Sequence, residues 1–237
     1  MNEVAFLASV MECKKILEEW ELLLKASVNN LKNASTEKYS DEFKKVSKGD
    51  AYFPTYKCAI ENDDYDFLLV DQSFFQFSYD YSAEKGCEII RFAFYPSVTE
   101  YSYEAFLVEQ LGENIEKCGS EYYELYQQYI SEQTPMIRTA FRYDYDRSLY
   151  KKQNHSAAHI HFGNEENIRI PTNSQLKPTA FVKMVMEYYY YNQWKVKIEE
   201  HDKMVYVSSH DTEILDAEMF GELDQSIPYI FVKDRKK

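Results

Sequence analysis

Glycine is scarce in this chain, with six among 237 residues, and the six stand apart from one another. No Gly-rich phosphate loop and no dinucleotide-binding fingerprint can be built from them, which argues against ATP- or NAD-dependent chemistry. The four cysteines, Cys13, Cys58, Cys87 and Cys118, form no Cys-x-x-Cys pair. A zinc ribbon is thereby excluded, and isolated thiols in a chain of this size read as reduced side chains rather than a disulfide framework. A nucleophilic cysteine would need a histidine close in space, which spacing alone does not reveal. Long apolar runs are missing too. The longest, Phe67–Val70 and Ile89–Tyr95, are strand-sized, and neither reaches the length of a membrane span. No internal repeat, low-complexity tract or Pro/Gly/Ser linker divides the chain. The opening Met1-Asn2-Glu3-Val4 has no basic stretch or small-residue cleavage site, so a cytoplasmic protein is expected.

Cations are outnumbered, with 27 Lys and Arg against 40 Asp and Glu and a net charge of −13. Such a surface repels phosphate backbones, which argues against non-specific DNA binding. The charge is uneven, however. Between Met136 and Lys177 lie seven basic residues (Arg138, Arg142, Arg147, Lys151, Lys152, Arg169 and Lys177) and four acidic ones (Asp144, Asp146, Glu165 and Glu166). That segment is +3 and the remainder is −16. A locally basic segment on an acidic body suits a site for an anion; chance unevenness is the alternative.

Hydrophobic periodicity organises the rest. Phe6, Val10, Cys13, Leu17, Trp20, Leu24, Val28 and Leu31 recur every three to four positions and predict a helix over residues 1–31, within an N-terminal segment 1–35. Residues 33–49 read as a polar connection with some helical character. From Tyr52 the pattern turns to β, with strands over Asp66–Val70, Ser73–Tyr81 and Cys87–Tyr95, the last two forming a hairpin about Ser82–Gly86. A helix is expected over 103–133, weakened by Gly112 and Gly119 and closed by Pro135. Strands follow over Met136–Asp146, Ala157–Phe162 and Ile168–Pro171, then a helix from Pro178 to about Trp194. Met204–Val207 and Tyr229–Val232 are further strand candidates. The sum is one α+β domain over 1–237. It has a first β hairpin region at 52–96, a histidine-bearing β region at 136–171, and a mainly antiparallel curved sheet packed against two or three long helices.

All five histidines follow residue 150, and three fall in His155-Ser-Ala-Ala-His159-Ile-His161. On a strand, His159 and His161 share one face while Ala158, Ile160 and Phe162 take the other. The preceding strand splits likewise, with Phe141, Tyr143 and Tyr145 on one side and Arg142, Asp144 and Asp146 on the other. If the two strands pair through the loop 147–156, the polar face collects two imidazoles, a guanidinium and two carboxylates. His155 can reach in from the loop and Arg169 from the next strand.

Three readings of this face stand side by side. In one, His155, His159, His161, Arg142 and Asp144 form an acid–base site. One imidazole takes a proton from an attacking hydroxyl, another protonates the leaving oxygen, and the arginine carries the developing charge. In the second, His159 and His161 hold one divalent transition metal ion, with His155, Asp144 or Asp146 as a third ligand. The His159-x-His161-x3-Glu165 spacing matches half of a cupin metal motif, but the flanking glycines and the second motif are missing. In the third, the face is solvated and its histidines merely bond to neighbouring aspartates. Ser208-Ser209-His210-Asp211 has the residue types of a triad, but side by side in sequence they read as a turn or helix cap.

Five segments in order carry a family resemblance. They are Ser73-Phe74-Phe75-Gln76-Phe77, Ile90-Arg91-Phe92-Ala93-Phe94-Tyr95-Pro96, Arg142-Tyr143-Asp144-Tyr145, His159-Ile160-His161-Phe162-Gly163 and Ile168-Arg169-Ile170-Pro171. From about Phe67 to Trp194 the chain resembles an uncharacterised bacterial family, the domain of unknown function 2290. The family has no established activity, so the resemblance implies no catalytic residue. The His-x-His segment also looks like that of small bacterial toxin families. Two functions are expected from these observations. One is a toxin-like or antiphage defence-associated effector acting on RNA or nucleotide phosphodiesters, with no cofactor or with one divalent metal. The alternative is a non-enzymatic, acidic, tyrosine-rich interaction subunit that binds a protein partner of a bacterial multi-protein system. Neither involves a membrane.

Overall fold

The computed structural model describes residues 1–49, 52–82, 86–97, 103–133, 139–151, 154–163, 169–200, 207 and 209–215. It comprises two compact units, Met1–Pro96 with Thr139–Lys237, and Ser97–Arg138. Helix α1 (Glu3–Glu19) starts at Asn2, whose side chain accepts a hydrogen bond from Ala5 N at 2.9 Å. It buries Phe6, Val10, Cys13, Ile16 and Leu17. The helix expected to reach residue 31 stops here, because Glu21 adopts a left-handed conformation with φ of 56° and the chain leaves as strand β1 (Leu23–Ala26). Leu24 and Val28 keep helical spacing, yet both are exposed.

Helix α2 (Asp41–Val46) is capped by Ser40, and α3 spans Tyr52–Glu61. The β pattern expected from Tyr52 is therefore wrong for its first ten residues. Tyr and Phe mimic strand composition there, but Pro54 sits in the first helical turn, where its missing N–H costs nothing. Thr55, Tyr56, Cys58 and Ala59 form one buried face.

Strands β2 (Phe67–Leu69), β3 (Phe74–Ser82) and β4 (Cys87–Tyr95) follow, with β3 and β4 forming the expected hairpin. Residues 83–85 of its turn lie outside the described residues. The second unit then contributes α4 (Tyr103–Phe106), a π-helical turn Leu107–Leu111, α5 (Ile115–Cys118) and α6 (Tyr123–Gln133). The single helix expected over 103–133 is thus broken. Gly112 and Gly119 both take positive φ, and Asn114 caps α5 by accepting from Lys117 N at 3.0 Å. Tyr103, Phe106, Tyr123 and Tyr126 pack edge to face or tilted at 5.4–5.7 Å.

The chain returns to the first unit as β5 (Phe141–Asp146), β6 (Ala158–Phe162) and β7 (Arg169–Pro171). Strand β8 (Ser174–Leu176) leads to α7 (Pro178–Tyr189) and α8 (Tyr191–Glu199), and β9 (Thr212–Ile214) pairs back on β8. The helix expected to Trp194 divides at Tyr190, whose φ and ψ of −107° and 43° are not helical. Of the remaining strand candidates, Met204–Tyr206 and Tyr229–Val232 lie outside the described residues. Ser209–Asp211 is a single 3-10 turn, as expected of a cap rather than a triad. Its Asp211 is buried and accepts from Thr179 Oγ1 at 2.5 Å and Lys183 Nζ at 2.9 Å.

Strands β1 to β7 form one antiparallel sheet in chain order. Alternation decides what each face carries. On one face Phe75, Phe77, Phe92, Phe94, Tyr143 and Ile160 are at most 1% exposed and pack with α1 and α7. Each such phenylalanine contributes about 2 kcal/mol of burial. On the other face, Tyr39, Phe43, Phe74 and Tyr95 form a ring cluster, with Phe74 and Tyr95 stacked at 4.6 Å. The segment leading into α2 is fastened over that face by Asp66. Its carboxylate accepts from Lys38 Nζ at 2.7 Å, Tyr39 OH at 2.8 Å and Phe77 N at 2.7 Å, entirely buried.

Asp66→Ala strips a buried ammonium of its partner and is expected to cost about 3–5 kcal/mol, read as a lower urea midpoint. Glu18→Ala, which removes the exposed partner of Lys14, should leave the midpoint nearly unchanged. Equal effects from the two changes would contradict this account.

Candidate functional site

Register turns the polar face into two transverse rows. Ser78 stands opposite Arg91, Arg91 opposite Asp144, and Asp144 opposite His159. In the neighbouring row Gln76, Ala93, Arg142, His161 and Arg169 follow one another across the same four strands and β7. Adjacent strands are about 4.8 Å apart, so charged groups in these rows lie within direct reach of one another.

The rows floor a cavity of about 520 Å³, with Tyr39, Phe43, Lys44 and Lys48 from the α2 segment on its wall. Every site residue expected from the sequence lines it: His155, His159, His161, Arg142, Asp144 and Asp146. The expectation of a solvated sheet face fails for the imidazoles, since His159 and His161 are 4% and 3% exposed, although the histidine–aspartate contact it included is present between His161 and Asp144. Five cationic side chains (Lys44, Lys48, Arg91, Arg142 and Arg169) face three carboxylates (Glu37, Asp144 and Asp146) in the lining. This reverses the sign of the chain as a whole. One of those carboxylates, Glu37, pairs with Lys44 at 2.8 Å.

Arg91 and the two lysines were not identified from the sequence. Arg91 alternates with Ile90 and Phe92, a signal that could have placed it on the polar face. The lysines come from a different element, and nothing local marks them.

The histidines are held by defined contacts. His155 Nδ1 and His159 Nδ1 lie 3.1 and 3.2 Å from the carbonyl oxygen of Ser156. A carbonyl can only accept, so each ring carries a proton on Nδ1 and Nε2 is left as the lone pair in the neutral form. The rings of His155 and His159 are 5.2 Å apart, and those of His159 and His161 are 4.6 Å apart. His161 Nε2 lies 3.2 Å from Asp144 Oδ2. The other nitrogen, Nδ1, is buried without a hydrogen-bond partner among the described residues, and so is Arg142 Nε. Asp146 is differently engaged, since its Oδ1 accepts from Ser148 N at 2.9 Å and Ser148 Oγ at 2.6 Å. It closes the turn after β5.

Electrostatics follow from this geometry. Burial alone would raise the Asp144 carboxyl, but the His161 hydrogen bond and the charges of Arg142 and Arg91 hold it below the usual carboxylate range. Burial, with His161 and His155 alongside, lowers His159 to about 4. It is therefore neutral near pH 7.

Fold and cavity together define an α+β protein whose sheet carries a histidine, arginine and aspartate cluster on its second face. Residues 19–223 match the family described as Uncharacterized conserved protein (DUF2290), and the chain belongs to that family. No curated protein and no solved structure matches it. Among the described residues, no helix is long and apolar enough to cross a membrane.

The lowered His159 value has a definite sign. Between about pH 6.5 and 4 the unfolded chain binds this proton and the folded chain does not, so stability falls as pH drops through that window. Asp144, also lowered, adds a further loss below pH 3.8. The His159 ring should titrate near 4 by NMR, and His159→Gln should flatten the fall in urea midpoint between pH 6.5 and 4. A ring titrating near 6.5 would contradict the buried, neutral assignment.

Proposed function

We propose that the cavity binds a phosphodiester, in a nucleotide or in RNA, and cleaves it. The observation that carries this reading is the convergence of Arg91, Arg142, Asp144, His159 and His161 on one cavity with a cationic lining in an acidic chain. Guanidiniums suit phosphate because they offer planar paired donors and a permanent charge. Arg91 and Arg142, on adjacent rows of neighbouring strands, address the non-bridging oxygens and stabilise the charge that builds there in the transition state. His159, with its Nε2 lone pair, activates the oxygen nucleophile. His155 sits on the loop before β6, half-buried, and gives a proton to the departing oxygen when it is in its imidazolium form. Asp144 fixes the ring of His161 and balances the arginines in the unliganded protein.

The test uses purified protein with two probes, bis(p-nitrophenyl) phosphate and a fluorophore-labelled RNA oligonucleotide, in buffer supplied with manganese and zinc. His159→Ala should lower kcat/KM by roughly 10²–10⁴-fold. Arg142→Ala should lower it by roughly 10²–10³-fold, with partial recovery in Arg142→Lys. Circular dichroism and melting curves establish that the variants are folded. A wild-type protein that neither cleaves nor binds either probe would overturn the reading.

A further inference from the structure

We propose that Asp144, His159 and His161 hold a single divalent transition metal ion at the floor of the cavity. The inference rests on the phosphodiester reading for its purpose, but on the coordinates for its site. One donor atom from each of the three residues lies within 4.8 Å of the others, and they are the cluster of metal-capable donors found among the described residues. Asp144 Oδ2 and His161 Nε2 are 3.2 Å apart. Two ligands on one ion at bonds of about 2.0–2.1 Å and a tetrahedral angle stand about 3.3 Å apart, so this pair already has a ligand-to-ligand spacing.

A second observation is independent of that distance. His161 is 3% exposed and lines the cavity, and its Nδ1, not the Nε2 beside Asp144, has no hydrogen-bond partner among the described residues. Nδ1 is not the proposed ligand atom; it leaves room for a water, the acceptor that a histidine bound to an ion through Nε2 needs on its other nitrogen. His159 is turned suitably as well, because its Nδ1 is committed to Ser156 and Nε2 remains for a ligand bond.

The donor set says what kind of ion fits. Two imidazoles and one carboxylate suit zinc, manganese or iron rather than calcium, and leave coordination positions for water and substrate. His155 and Asp146, considered from sequence as ligands, stand outside the group, and Asp146 is held by Ser148.

Arg91 and Arg142 beside Asp144 oppose a lone cation. They fit one that is bridged to an anion, so metal and phosphate should bind cooperatively. With the ion bound, His159 Nε2 is a ligand and no longer the base: a metal-coordinated water becomes the nucleophile, losing its proton to solvent as its oxygen forms a bond to phosphorus. The ester P–O bond then breaks with its electron pair on the leaving oxygen, which takes a proton from the His155 imidazolium. The products are a phosphomonoester and an alcohol.

The experiment is calorimetric titration of chelator-treated full-length protein with zinc or manganese, with elemental analysis of the dialysed protein. One equivalent is expected. His159→Gln/His161→Gln and Asp144→Asn should each weaken binding at least 100-fold, while His155→Gln keeps the equivalent. Inorganic phosphate should tighten metal binding about 10-fold or more, and metal should tighten phosphate by the same factor. A folded wild type that takes up neither ion, or a double histidine variant that retains the full equivalent, would overturn the proposal. Full-rate phosphodiester cleavage in chelator would overturn the metal and leave the proposed function. One tightly bound equivalent with no cleavage of either probe would do the reverse.

Discussion

Arg142 stands opposite His161 and Asp144 opposite His159, and the rest of the site depends on that pairing. Because a strand alternates with period two, a slip of one residue between β5 and β6 would send both imidazoles into the aromatic core and bring Ile160 into the cavity. The register is held from the other side. Tyr143 and Ile160 face each other across β5 and β6 and are both fully buried. The Tyr143 hydroxyl also accepts from Leu176 N at 3.0 Å and donates to Ser174 O at 3.2 Å. The apolar face thus fixes the polar one, and the site's geometry is a by-product of core packing.

A cavity on the second face needs something to hold a wall above it, and aromatic packing does so. Tyr39 and Phe43 lean on Tyr95 and Phe74 at one end of the sheet, and Asp66 fastens Lys38 and Tyr39 beneath them. The α2 segment cannot then settle onto Ser78, Arg91 and Asp144. The consequence is electrostatic. At physiological ionic strength the exposed acidic surface is screened over about 8 Å, whereas groups inside a partly enclosed cavity interact through a lower effective dielectric. A ligand in the cavity therefore responds to the arginines around it more than to the net charge of the chain.

Much of this could be read from the sequence where a single physical pattern dominated. Phe75, Phe77 and Tyr79 alternate cleanly with Gln76, Ser78 and Asp80. The split of β5 and β6 into aromatic and charged faces predicted which histidines would share a surface. The reading failed where two patterns coincided. Leu24, Val28 and Leu31 continue the spacing of α1 although the helix ends at Glu19, because a left-handed Glu21 is decided by one residue and not by periodicity. Tyr52–Glu61 carries strand-like side chains on a helix whose burial against the sheet outweighs propensity. The burial of His159 and His161 was not legible, because it comes from a wall supplied by residues more than one hundred positions earlier.

The cluster is also mounted unevenly, and that bears on what each member can do. Arg91, Arg142, Asp144, His159 and His161 all project from paired interior strands, where the ladder and the core restrict both backbone and side chain. Groups that must hold a fixed geometry relative to one another, as charge-stabilising donors or ligands to one ion, belong on such elements. His155 is different. It is attached through a single bridge to Lys151, with backbone bonds of 2.9 and 2.8 Å, at the end of the loop before β6. It stands half-buried at the edge of the cavity, with its Nδ1 3.1 Å from Ser156 O. The fold therefore sets the charged floor on interior strands and one imidazole apart from them on a loop, so the spacing of the first five residues is tied to core packing while that of His155 is not.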